Sequence, residues 1–190
     1  MHRQPLLELL NRYATRFPKE DAVTNRIRAL VMSRPDCFER TCRPGHITGS
    51  AWILSHDRQR TLLVHHAKLD RWLQPGGHAD GQIDIPEVAL REVQEETGLK
   101  QVTFALHQRQ LVPLDLDVHL IPPRYHADGS LKEDAHEHHD VRFLVVADAD
   151  QEIVLSEESH DLGWFTAAEV HQRTDEESVL RMLRKAGPFG

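Results

Sequence analysis

Gly76-Gly77-His78-Ala79-Asp80-Gly81-Gln82-Ile83-Asp84-Ile85-Pro86-Glu87-Val88-Ala89-Leu90-Arg91-Glu92-Val93-Gln94-Glu95-Glu96-Thr97-Gly98-Leu99 reads as a glycine loop running into a helix with both ends marked. Asp84 with Glu87 fits a capping box, and Pro86 suits a first turn. Gly98 stands where a left-handed residue closes a helix. At about 100° per residue, Glu92, Glu95 and Glu96 share an arc of roughly 100°. Ala89, Leu90, Val93 and Thr97 lie beyond that arc and can pack. Three carboxylates on one arc repel one another and cost helix stability unless a positive charge sits among them. Two readings follow from the helix alone. A hard divalent cation held by oxygen ligands is one. A solvated acidic face, partly relieved by Arg91 at i, i+4 to Glu95, is the other.

Outward from this helix, short apolar runs alternate with helical patterns. Ile47–Leu54 and Thr61–His66 read as strands joined by the polar turn His56-Asp57-Arg58-Gln59. Further strand-like runs lie at 102–107, 111–121 and 141–147, and helices at 166 onward and 175–186. Strands interleaved with helices predict a layered α/β or α+β domain. Before the first strand, Leu6, Leu10, Tyr13 and Phe17 share one helical face, and Pro18 breaks the pattern. Val23, Ile27, Leu30 and Arg34 continue it in a second helix. These helices are expected to cover a sheet or to contact another subunit, a homodimer being the simplest case. Residues 1–44 are therefore divided from a domain at 45–190.

The chain has 190 residues, enough for one domain with a core of its own. Lys and Arg number 23 against 30 Asp and Glu, a net charge of -7. An acidic surface disfavours nucleic acid and polybasic membrane docking, and no apolar run approaches a membrane span. A phosphorylated small substrate remains open, because a bound metal reverses the local field. Two cysteines, Cys37 and Cys42, make no disulfide scaffold, and the expected location is the reducing cytoplasm. They are also no zinc half-site, since His46 alone does not complete a tetrahedral set.

The loop and helix together resemble the signature of the Nudix hydrolase family: Gly, five residues, Glu, seven residues, then Arg-Glu-aliphatic-any-Glu-Glu-any-Gly-aliphatic. Gly77, Arg91, Glu92, Val93, Glu95, Glu96, Gly98 and Leu99 fall in register. A chance match is on the order of one in 10⁵ for a chain of this composition. One position departs: the signature's first Glu is Ile83, which neither ligates metal nor pairs with Arg91. Asp80, Asp84 and Glu87 are the nearby acids that stand as replacements. The resemblance extends over about residues 45–170, taking in Gly45–Trp52, Trp72–Gly81, Asp117–Pro122 and His138–Phe143.

The resemblance implies an α/β/α sandwich with a mixed sheet, the N-terminal helices being accessory. It implies hydrolysis of a diphosphate bond in a nucleoside diphosphate linked to another moiety, such as a nucleotide or nucleotide sugar. Mg²⁺, or Mn²⁺ in its place, would be held by Glu92, Glu95, Glu96 and the Gly76 carbonyl. Arg91 would support the helix carboxylates, and Gly77 and His78 would lie against the substrate. The proton acceptor is expected to be Glu95, or Glu157 or Glu158 from a later loop. Two other readings stand beside it. Prenyl-diphosphate isomerisation on the same fold needs a Cys across the substrate, and Cys37 and Cys42 precede the sheet. A silent nucleotide- or metal-sensing module draws its support from Ile83.

Outside the helix, Asp115, Asp117 and His119 share one strand face, as do His138, Asp140 and Arg142. His119, His136, His138 and Asp140 could form a second metal or phosphate site, in which imidazoles suit Zn²⁺ or Ni²⁺. They also read as half-exposed sheet positions. Arg142 either grips a phosphate or pairs with Asp140. Trp72, just before the glycine loop, is a core residue or a stacking platform for a base.

Overall fold

Gly45–Ser55, strand β1, is buried along its whole length, and the rest of the molecule is arranged about it. The structure is a computed structural model that describes residues 2–187. The chain begins with helix α1 (Gln4–Arg16), a single 3-10 turn at Pro18–Glu20, and helix α2 (Asp21–Ser33). After β1 come β2 (Thr61–His66), β3 (Arg71–Leu73), β4 (Gly76–His78) and α3 (Ile85–Thr97). They are followed by β5 (Val102–Phe104), β6 (Asp115–Ile121), β7 (Arg124–Tyr125), β8 (Leu131–Glu133) and β9 (His136–Ala147). The described chain closes with β10 (Ser159–Phe165), α4 (Ala167–Arg173) and α5 (Glu177–Ala186).

The main sheet runs β10-β2-β1-β9-β5, with β3 on β2, β4 on β1 and β6 on β9. β1 and β9 are parallel from Gly45 opposite Glu137 to Ser55 opposite Ala147, and the other pairs are antiparallel. The sheet is thus mixed, as expected. Each long strand changes partner along its length. β1 pairs with β4 at Thr48–Ser50 and with β2 at Ile53–Leu54. β9 pairs with β6 over its first half and β5 over its last three residues.

Alternation along β1 and β9 separates two cores. Ile47, Ala51, Ile53, Val141, Phe143 and Val145 pack with apolar residues of α1, α2 and α3. Trp52, Leu54 and Leu63 pack on the opposite face with Val170, Val179, Met182 and Leu183 of α4 and α5. This is the α/β/α sandwich. The N-terminal helices cover the sheet directly, with Leu6, Leu10, Tyr13, Ile27 and Val31 all within the larger core.

The helix carrying the acids forms where its caps place it. The Asp84 side chain accepts the Glu87 N–H at 3.4 Å, and Gly98 closes the helix at φ +73°. Thr166 and Glu169 form a reciprocal capping box at the start of α4. The strands differ more from expectation. β9 begins at His136 rather than near 141, because its first residues are ordered by pairing with β6 and, from Glu137, with β1. Leu111–Leu114 precede β6 without joining it. The glycine loop contains the short strand β4, since two residues without side chains let the backbone approach β1.

Candidate active site

Strand β4 lies over the acidic face of α3, and two glycines make that approach fit. A Cβ on Gly77 would stand 2.5 Å from Oε2 of Glu92. A Cβ on Gly76 would collide with Ser50 of β1. With both side chains absent, the Gly76 N–H donates to Oε1 of Glu96 at 2.9 Å.

Arg91 ties the loop to the helix. Its Nη2 donates to the His78 carbonyl at 2.7 Å and to Oε1 of Glu92 at 2.8 Å. Its Nη1 donates to Oε1 of Gln82 at 3.1 Å. Glu95 lies 4.0 Å from Nε and is largely exposed. Ile83 lies beside α1, in a cleft it shares with Pro5, Leu6, Leu9, Ile85 and Leu111. Two of the three acids expected to replace the missing Glu, Asp80 and Asp84, are otherwise engaged. Asp80 forms a bidentate pair with Arg40, and Asp84 caps the helix. Gln82 takes the place facing Arg91, a role that the spacing of acids in the sequence does not signal.

The electrostatics of this face are those of an acidic cluster that Arg91 neutralises only in part. Burial pushes the Glu96 carboxyl up to about 7, against the pull of the Gly76 N–H. Glu92, Glu158 and Glu95 add to the rise. Burial also raises Glu92, with Arg91 opposing and with Glu95 and Glu158 contributing. Glu158, from the loop before β10, is therefore close enough for its charge to be felt by both. The donor set is all oxygen, partly desolvated and negatively charged, which fits a hard divalent cation.

The fold thus brings together Gly76, Gly77, Arg91, Glu92, Glu95, Glu96 and Glu158. The remaining candidates lie elsewhere. Trp72 stacks on His65 at 5.0 Å between ring centroids and meets Phe165 edge-on at 4.9 Å. Arg142 is buried with each guanidinium nitrogen on a carboxylate. Nε donates to Asp140 at 2.8 Å and Nη1 to Asp115 at 3.1 Å, and Nη2 forms an ion pair with Asp117 at 3.0 Å. Of its two sequence readings, the structure displays the ion pair. Asp140 also accepts from Thr48 and Ser50. His119 bonds Asp117 at 3.0 Å, and the rings of His78 and His138 belong to a separate imidazole cluster.

The family profile described as NUDIX domain matches residues 46–185. A NUDIX-family hydrolase from Clostridium perfringens is similar in structure, with TM-score 0.57, 24% identity, and coverage of 74% of this chain and 95% of that one. An Ap4A hydrolase binary complex from C. elegans gives TM-score 0.54 at 20% identity, covering 74% and 93%. The E. coli dihydroneopterin triphosphate pyrophosphohydrolase gives 0.50 at 17%, covering 75% and 94%. These likenesses concern the fold. No curated protein sequence matches the chain significantly.

Proposed function

Because this chain belongs to the NUDIX family, and is on that account a Nudix-type pyrophosphohydrolase, we propose that it cleaves a diphosphate bond in a nucleoside diphosphate linked to another moiety, with Mg²⁺ as cofactor. The observation that carries this reading is the pair of desolvated carboxylates Glu92 and Glu96, with the exposed Glu95 beside them, under the Gly76-Gly77 strand. Solved structures of similar fold support the substrate class: one is an Ap4A hydrolase and another a dihydroneopterin triphosphate pyrophosphohydrolase.

In this reading Glu92, Glu95 and Glu96, with the Gly76 carbonyl, hold the cation. When bound, it would neutralise the diphosphate and lower the pKa of an attacking water. The protein's own groups do the rest. Arg91 fixes the Glu92 carboxylate and anchors β4 through the His78 carbonyl. Gln82 holds the far side of the same guanidinium. The Gly76 N–H orients Glu96. In this reading the proton from water goes to Glu95, the most exposed of the helix acids, or to Glu158, whose charge is felt at Glu92.

The test is a Mg²⁺-dependent hydrolysis assay over nucleoside triphosphates, dinucleoside polyphosphates and nucleotide-sugar diphosphates, with E95Q and E96Q in parallel. Turnover of at least one class, lost in E96Q, is expected. Tight binding of a nucleotide without turnover would favour the sensing module, and rearrangement of an added prenyl diphosphate with its diphosphate left uncleaved would favour isomerisation.

A further inference from the structure

Five imidazoles converge on the sheet face opposite α3, away from the acidic helix. β-Sheet register sets them in a row. His119 of β6 pairs with His138 of β9, which pairs with His46 of β1. His136 is two residues along β9, on the same face. His78 of β4 sits opposite Thr48, also on that face. Ring centroids separate His46 from His138 by 4.8 Å, from His136 by 5.0 Å and from His78 by 5.1 Å. His78 lies 5.0 Å from His138.

The environment of these rings is unusual in what it lacks. His46 is 1% exposed, yet neither of its ring nitrogens has a hydrogen-bond partner. Nε2 of His138 is likewise buried and unpartnered. Each such orphan costs about 1–3 kcal/mol. One donor nitrogen from each of His46, His136 and His138 lies within 4.8 Å of the others. A tetrahedral zinc site needs roughly 3.3 Å between its nitrogens, so small side-chain rotations close the set. His136 Nδ1 lies 2.9 Å from the Asp134 carbonyl, the kind of outer contact that orients a ligating imidazole.

We propose that His46, His136 and His138 bind a zinc-class transition-metal ion, with His78 as the fourth ligand, at a site separate from the acidic cluster. Neutral imidazoles select Zn²⁺, Ni²⁺ or Cu²⁺ over Mg²⁺. His78 is assigned the fourth position because it touches both His46 and His138, whereas His119 is already engaged with Asp117. The sequence reading placed Asp140 in such a site, but its carboxylate is turned to Thr48, Ser50 and Arg142. His78 directly follows Gly77, and successive residues of a strand point to opposite faces. The ion would therefore clamp β4 to β1 and β9 from behind while Glu92 and Glu96 meet the same strand in front.

The test uses the full chain, freed of metal with a chelator and titrated with Zn²⁺ by calorimetry in saturating Mg²⁺. One Zn²⁺ per chain is expected, and Co²⁺ should give the intense visible absorption of a tetrahedral ion. H46N and H138A, each checked for folding by circular dichroism, should weaken Zn²⁺ binding by roughly 100-fold. E96Q should leave it unchanged. H78A should weaken binding less and alter the Co²⁺ spectrum. Zn²⁺ affinity unchanged in H138A and H46N would overturn the proposal, as would Zn²⁺ binding abolished by E96Q alone. Because Mg²⁺ is saturating throughout, failure here leaves the hydrolase reading untouched.

Discussion

Nη1 of Arg91 donates to Oε1 of Gln82 at 3.1 Å, so an amide supports this arginine where the family signature has a carboxylate one residue later. The guanidinium stays braced, by a neutral partner. Q82A is expected to lower kcat several-fold and to cost about 0.5–1.5 kcal/mol of stability. I83E should not improve activity, because position 83 lies against α1 rather than Arg91. Steady-state kinetics and urea melts of both variants check this.

Glu96 predicts an unusual dependence of stability on pH in the metal-free protein. Its folded pKa is raised from 4.5 to about 7. Folding therefore favours the protonated form, a contribution complete below about pH 4.5 and lost as pH rises through about 7. E96Q removes the titration, so the wild type should lose stability relative to E96Q between pH 5 and 8, by about 1–3 kcal/mol. Added Mg²⁺ should restore the wild type and not the variant. Paired thermal melts measure the difference.

The two loop glycines should fail differently. At Gly77 the obstacle is the end of the flexible Glu92 side chain, so G77A should fold with modest loss while its activity drops sharply. At Gly76 the obstacle includes the Ser50 backbone, so G76A should lose stability as well. Melting temperature and kcat measured together separate the cases.

Arg142 gives a stability prediction with little catalytic content. Burial alone would raise Asp115, but Arg181, Arg142 and Lys185 hold it below the usual carboxylate range. R142M leaves buried carboxylates uncompensated and should cost about 3–5 kcal/mol. At a temperature where the variant is folded, KM should be unchanged. A large rise in KM would mean that Arg142 holds the substrate.

Glu95 and Glu158 compete as proton acceptors, and their variants distinguish them. The variant that removes the base should lower kcat by about 10²–10⁴ and flatten the acid limb of the pH profile. The other should leave that limb in place. Full pH–rate profiles of E95Q and E158Q provide the comparison.

How much of this the sequence displayed depends on the range of the interaction. The helix Ile85–Thr97 was legible because its caps and periodicity are local. The two N-terminal helices were legible for the same reason, though their place in the sheet's own core was one of two options. The early start of β9 was only partly legible: alternation placed His138, Asp140 and Arg142 on one strand face, while pairing with β1 and β6 carries the strand back to His136. The acidic cluster was visible as spacing, but Gln82 was hidden because its role depends on how the loop folds back. Among the histidines, His119 and His138 were legible by alternation and His136 was grouped with them, whereas His46 and His78 join them only through strand register.

The central claim is that Glu92, Glu95 and Glu96 gather to hold divalent cations. Titration of metal-free protein with Mn²⁺, followed by the electron paramagnetic resonance signal of free Mn²⁺, tests it without any substrate. The account predicts saturable binding that Mg²⁺ displaces and that E92Q and E96Q each reduce by tenfold or more, while H138A does not. Mn²⁺ binding that survives E92Q and E96Q intact, or no binding in the wild type, would contradict it.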